Sequence, residues 1–428
     1  IIWRIETNMA IPGVKTLIRD RFYSVSRQDT PVGPRIVAIA RRSTANNTGS
    51  VADLDVVRVT NEADVITAFG DGSDAHRAYL ELVLAGAGRI YIVPLPSDTK
   101  WDTDTDSPAA TGTVTSVSYG GSVFDAAFIA AEAAIPDIII PWGRGAHPDD
   151  WQSPATPSDD AKIGFVADNT STVSSNWAYQ VAAKVKDISE NINPCIAIMG
   201  VSPYYSTTET MTPGQVSTHL ALTDLPDRNA SASFKEVGPY VVVVAAEIKP
   251  VNYQSGTTEF GYANGAAHVA GALSLLPSYS SLVNKALYNV EAVRYAPSRT
   301  QQAALAAKGV NTVVINFNKI PVFGEGLTFG WATSDYTRLS TKRIIDDATS
   351  VVRQACQRFV GEPSNIQTRN AMETAITSGL RGMQIVGALL GSDFTVSYIP
   401  NENKAIVDLI LTPAFELKEI EVRVAINL

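Results

Sequence analysis

Residues 256–277 read GTTEFGYANGAAHVAGALSLLP, a turn-rich stretch that passes into a helix-length run of small and apolar residues. Immediately before it stands YVVVVAA (240–246), a short apolar run of buried-strand character. A buried strand that leads through a loop into a helix is one step of an alternating chain, and the step recurs toward the N-terminus. RIVAIA (35–40), RIYIV (89–93), DIIIP (137–141) and PCIAIM (194–199) read as further buried strands, with helix-like stretches at 62–69, 74–85, 124–133 and 177–189. Such alternation predicts an α/β fold with a mainly parallel sheet covered by helices on both faces, in three layers. The Pro-, Thr- and Asp-rich part at 94–121, with its TGTVTSVSY strand, breaks the rhythm and reads as an insertion.

The opening stretch resembles the segment around the nucleophile of a subtilisin-type serine protease. Anchored on His268, Val269, Ala270 and Gly271, the nucleophile's position falls on Ala263, whose methyl group can neither attack a carbonyl nor hold a proton. Nucleophilic catalysis also needs a base oriented by a third group. None of the four histidines, His76, His147, His219 and His268, stands in a His-Gly-Thr setting like that of the protease base. Ser255 and Ser274 are nearby hydroxyls, but neither sits at the helix entrance, and they read as a loop and a helix-face hydroxyl. The likeness is to a helix, not a reaction: no catalytic residue is assigned, and a subtilisin-like serine hydrolase is the alternative that Ala263 disfavours.

At 428 residues, 45% hydrophobic and 18% charged, the chain has material for two or three domains with real cores. No apolar run approaches the roughly 20 residues that cross a bilayer. The start, IIWRIETNMAIPG, lacks a basic-then-apolar signal pattern, so neither export nor membrane insertion is expected. Cys195 and Cys356 have no Cys-x-x-Cys spacing and read as buried thiols. The net charge of −9 is local: residues 98–160 hold eleven acidic and two basic side chains, whereas 300–428 hold twelve of each. That balance argues against nucleic-acid binding, which needs a basic footprint, and predicts a solvated outer surface for the acidic segment. Within it, Asp102, Asp104 and Asp106 are spaced like the opening ligands of a calcium loop. Ser107 stands where the turn needs glycine, and Thr113 where a bidentate glutamate is needed, so a polar loop and no metal site is expected. The pairs Gly86/Gly88 and Gly143/Gly145 lack the third glycine of a dinucleotide fingerprint and read as turns, so no cofactor is expected.

From about 300 the pattern changes. QQAALAAKG ends a helix on Gly309, VNTVVIN is a strand, and TKRIIDDATSVVRQACQRF carries Ile344, Ala348, Val351, Ala355 and Phe359 at helical spacing. A second helix follows with Ile366, Ile376, Leu380 and Met383 inward, and FTVSYIP, AIVDLIL and EIEVRVAINL then read as a three-stranded meander. Residues 300–419 are thus expected to form an α+β domain after an α/β domain at 31–299. Ile420, Val422, Val424, Ile426 and Leu428 alternate with polar or small residues to the end of the sequence, and residues 1–30 read as an extended arm around IPGVKTLIRD. Each such strand either pairs within its own chain or augments a neighbour.

Together these features resemble the sheath proteins of contractile bacteriophage tails and related injection machines. The resemblance rests on the early Pro12-Gly13-Val14, on VVRVTNEADVITAFG followed by a helix and GAGRIYIVPL, on GAAHVAGALSLL, on LAAKGVNTVV, and on the helix ending FVGEPSN. It implies a subtilisin-like domain turned to mechanical work, with a C-terminal α+β domain and extended arms, and no enzymatic activity. It further implies a virion subunit that polymerises helically, in six-fold rings, around a tail tube and contracts to drive the tube through the host envelope. The partners implied are other copies of the chain, the tube protein, and baseplate and tail terminator proteins, with assembly in the host cytoplasm. Inter-subunit strands would come from Pro12, Gly13, Val14, Thr16 and Ile18 and from Ile420, Val422, Val424, Ile426 and Leu428. Because the resemblance implies a basic sheath face toward an acidic tube, Arg338, Lys342 and Arg353, around the helix at 341–360, are the candidate tube-facing residues.

Overall fold

The computed structural model describes residues 33–43, 51–95, 122–142, 177–201, 228, 234–256, 258–294, 296–399 and 404–414. The chain runs through β1 (Ile36–Arg41), β2 (Val57–Val59), α1 (Glu62–Phe69), α2 (Asp74–Leu84), β3 (Ile90–Leu95), α3 (Ser122–Ala133), β4 (Ile138–Pro141), α4 (Trp177–Asn191), β5 (Ile196–Val201) and β6 (Val241–Ala245). Short strands β7 (Glu247–Pro250), β8 (Gln254–Ser255), β9 (Thr258–Glu259) and β10 (Ala263–Asn264) lead into α5 (Ala266–Leu275). Then come β11 (Val290–Val293), α6 (Arg299–Lys308), β12 (Val310–Ile315) and β13 (Pro321–Phe323). Helices α7 (Leu339–Gln357) and α8 (Ile366–Ile385) and strands β14 (Leu389–Ile399) and β15 (Lys404–Pro413) follow.

Eight strands form one sheet in the order β13-β12-β6-β5-β4-β1-β3-β2. All neighbours from β12 to β3 are parallel, and antiparallel β13 and β2 close the ends. The composition of the strands requires this. VVVVA in β6 and IIIP in β4 bury every residue, so both faces need cover, which helices supply. Alternate residues feed two cores. Ile36, Ala38, Val242 and Val244 pack with α2 and α5, while Val37, Ile39, Val241 and Val243 pack with α3, α4 and α6. The α/β expectation of a helix-covered, mainly parallel sheet is met.

The GAAHVAGALSLL segment owes its small residues to the crossing of α5 with α2. A Cβ on Gly271 would lie 2.3 Å from the Cβ of Ala85 and 2.9 Å from its main-chain carbonyl, so only glycine admits so close a pass. The end of α2 is then satisfied from outside. Gly86 turns left-handed at φ +95°, and the single Ser274 hydroxyl proton is shared between the carbonyls of Gly271 (2.6 Å) and Gly86 (3.3 Å). Asn289 Nδ2 donates to Leu84 O at 2.7 Å. The Asn289 bond reaches a last-turn carbonyl that α2 cannot satisfy itself.

The second core lies beyond the sheet. Ile344, Ala348 and Val352 of α7 pack with Ile376, Leu380 and Met383 of α8 and with the inner face of a β14–β15 ribbon formed by Phe394, Val396, Leu409 and Leu411. Val351, Ala355 and Phe359 border the cluster, as their spacing predicts. Ile366 differs from expectation: it is 76% exposed, standing at the first position of α8 ahead of the first buried residue, Met372. Strand β12, read from VNTVVIN, and β13 complete the large sheet, with Val310, Asn311 and Thr312 opposite Val243, Val244 and Ala245. Of the expected meander, two strands form the ribbon; the third, at 420–428, lies outside the described residues, as do residues 1–30 and the rest of the 94–121 insertion after β3. The acidic segment is not uniformly solvated. Asp137 is buried and accepts hydrogen bonds from the Arg35 N–H (2.8 Å) and Asn193 Nδ2 (3.3 Å). Cys195 is a buried thiol, and Cys356 is a half-buried one.

Candidate functional site

An open α/β sheet offers ligands the crevice at the carboxyl ends of its strands where strand order reverses. Here that point lies between β1 and β4, because the chain passes from β1 to β3 on one side and returns to β4 on the other. Side chains fill it. Trp142, which follows β4, is 2% exposed, and its main-chain N–H donates to Ile39 O at 2.9 Å. Its indole N–H donates to Glu81 Oε2 at 3.0 Å, and the buried Tyr253 hydroxyl donates to Glu81 Oε1 at 2.6 Å. Glu81 is fully buried, and desolvation pushes its carboxyl up to about 7 against these two bonds, which favour the anion. Nearby, Arg41 at the end of β1 pairs with Asp74 at the start of α2 at 2.6 Å. The sequence hint of this cluster was a single acidic residue inside the apolar run YLELVL of α2; its partners lie 61 and 172 residues away.

The hydrolytic reading meets a different geometry. Ala263 is 3% exposed at the entrance of α5, and Gly265, the N-cap, offers no side chain. His268 points into the core, where burial lowers its imidazole to about 4. Ser274 serves the α2–α5 contact described above. Ser255 does approach a carboxylate and an imidazole, but in the wrong order. Its hydroxyl donates to Asp71 Oδ1, which lies 3.3 Å from His76 Nδ1. That nitrogen accepts the Gly72 N–H (3.1 Å), and Nε2 faces Glu62 Oε1 at 3.2 Å. The serine proton is thus held by a carboxylate, and no bond leads from the hydroxyl to the base that nucleophilic attack requires.

The three candidate tube-facing residues are engaged within the chain. Arg338 pairs with Glu325 at 3.1 Å. Lys342 is only 4% exposed, bonds Asp346 at 2.5 Å and sits 4.3 Å over the Tyr240 ring. Arg353 donates to the carbonyls of Ser189 (3.2 Å) and Glu190 (2.8 Å) at the end of α4. That side of α7 packs on the α/β body. Arg343, which sequence reasoning passed over, acts in the same way on α5, donating to Leu273 O (3.2 Å), Leu276 O (2.9 Å) and Pro277 O (3.3 Å). The candidate arm residues, 12–18 and 420–428, lie outside the described residues. Among the described residues β14 and β15 pair only with each other.

Compared by sequence, the chain matches no family model and no curated protein. Compared by fold, it has the architecture of contractile tail sheath proteins. A chain of the anti-feeding prophage baseplate superposes with a TM-score of 0.62 at 15% identity, covering 98% of this chain and 100% of its own. The anti-feeding prophage helical sheath in its contracted state gives 0.59 at 16%, covering 97% and 99%. The sheath tail protein of Listeria innocua gives 0.55 at 12%, covering 89% and 92%. At these identities the likeness is one of fold, and it spans nearly the whole of each chain.

Proposed function

We propose that the chain is the structural subunit of a contractile tail sheath, polymerising helically around a tail tube and contracting to drive it through a cell envelope. The observation that carries this is the overlap with a contracted helical sheath chain over 97% of one and 99% of the other. The α/β body is taken as a subtilisin-like domain without hydrolytic function, since Ala263 offers no nucleophile and the Ser255 hydroxyl donates its hydrogen bond to Asp71. Its boundary with the C-terminal domain is placed after β13, near the start of α7. The edges of the ribbon, 11 and 10 residues long and unpaired among the described residues, suit the addition of strands from neighbouring subunits. Residues 12–18 and 420–428 are assigned as those strands, because main-chain bonds across subunits let copies slide without separating. The partners are further copies of the chain, in six-fold rings, with tube, baseplate and tail terminator proteins. Tube contact is assigned to the C-terminal domain, with Arg338, Lys342 and Arg353, each bonded within the chain, as its candidate residues.

Electron microscopy of the purified full chain, and of one lacking residues 420–428, tests the reading. The full chain is expected to form long tubes with a helical repeat, and the shortened one to remain folded and soluble without tubes. A full chain that stays monomeric with and without tube protein overturns the assignment; a shortened chain that unfolds overturns the arm.

A further inference from the structure

The hairpin between β12 and β13 ends in a turn fixed by its own hydrogen bonds. Asn316 Oδ1 accepts the N–H of Asn318 and of Ile320, both at 2.9 Å, and the Lys319 N–H donates to Asn316 O at 2.9 Å. On this turn Phe317 is 100% exposed, flanked by Ile315 at 51% and Ile320 at 43%. Lys319 is exposed and makes no ion pair among the described residues. A phenylalanine held in water by a preorganised turn loses little freedom when a partner covers it.

The outer face of the β14–β15 ribbon has matching chemistry. While Leu409 and Leu411 turn inward, Ile410 between them is 69% exposed. Asp393 stands opposite Ile410 in register, and Asp408 lies two residues along on the same face, opposite Thr395. Neither carboxylate makes an ion pair among the described residues; Arg381 borders a cleft beside Asp393, and Lys404 is at the far end of the ribbon.

We propose that the hairpin tip of one copy docks on the outer ribbon face of the next, with Phe317 against Ile410 and Lys319 against Asp408. One surface is apolar and basic, the other apolar and acidic, so each fits the other and not itself. Such a contact is heterologous and propagates as a ring or an open helix. The inference deepens the sheath reading, on which it rests for the choice of a second copy as partner.

The test uses full chains carrying Cys356→Ser. One copy bears Asn318→Cys, beside Phe317, and the other Thr412→Cys, two residues beyond Ile410. Mixed under mild oxidation, they are expected to give a disulfide-linked mixed dimer, identified by mass. Adding Phe317→Ser to the first copy is expected to lower its yield about tenfold, since a buried phenylalanine contributes on that order. Lys319→Glu is expected to lower the yield as well, and Asp408→Lys on the other copy to restore it. A mixed dimer indifferent to Phe317→Ser, or none at all while the unaltered chain forms tubes, overturns the docking and leaves the sheath reading standing. A Phe317-dependent dimer from a chain that never forms tubes supports the docking and removes the sheath reading. Neither dimer nor tubes removes both.

Discussion

At Gly271 an added methyl would meet not the tip of a flexible side chain but the Cβ and main chain of Ala85. Gly271→Ala is therefore expected to destabilise the protein by about 1–3 kcal/mol, as overpacking does. A lower urea midpoint with unchanged slope would show it, and an unchanged midpoint would mean that α5 moves aside at no cost. Glu81 makes a prediction of another kind. Its folded value, about 7, lies above the ordinary 4.5, so between these pH values the folded state keeps a proton that the unfolded state has released. Its stabilisation is complete below pH 4.5 and is lost as pH rises to 7, a change of roughly 3 kcal/mol. His268 behaves in the opposite sense: with its value lowered to about 4, its stabilisation is present above pH 6.5 and is lost as pH falls toward 4. Between pH 4.5 and 6.5 the two slopes oppose each other. Glu81→Gln, which can still accept the Trp142 indole bond, should turn this balanced interval into one where stability rises with pH. Urea unfolding at several pH values measures it, and an unaltered slope would show that Glu81 is not the group responsible.

Helix α7 shows how far an element can be understood from its sequence. Its apolar period identifies the helix and the stripe that faces α8, because that stripe is written in consecutive turns. The same period leaves the cationic side undetermined, since water and another helix's carbonyls are equally acceptable to a guanidinium. Here the acceptors are the ends of α4 and α5, neither of which has a basic residue in its own last turn. Arg353 and Arg343 supply from α7 the positive charge those ends favour. Arg343→Ala and Arg353→Ala are each expected to cost about 1 kcal/mol, because hydrogen bonds to a charged donor exceed neutral ones but these donors are partly solvated. Denaturation of the single and double variants checks this, and wild-type stability in the double variant would rule out the pairing as a tie between α7 and the α/β body.

For the whole molecule, the parallel sheet was legible because strands buried on both faces must be written as unbroken apolar runs. The sheet to which β12 belongs was less so. The change from an acidic to a balanced composition near 300 follows the surface, whereas strand pairing follows the core, and Val310 and Val313 belong to the core of the large sheet. The Glu81–Trp142–Tyr253 plug was hidden for a related reason: its members meet only after the strands between them are ordered. The two sheets also end differently. In the large sheet, β2 and β13 are three residues each, and main-chain bonds to residues 284–287 cover β13. The ribbon offers much longer margins, unpaired among the described residues, and such margins accept any extended chain that reaches them. A concentrated stock of the protein thus carries a route to cross-β precipitate along residues 389–399 and 404–413, and on the sheath reading a neighbour's strand laid on those margins would remove the hazard.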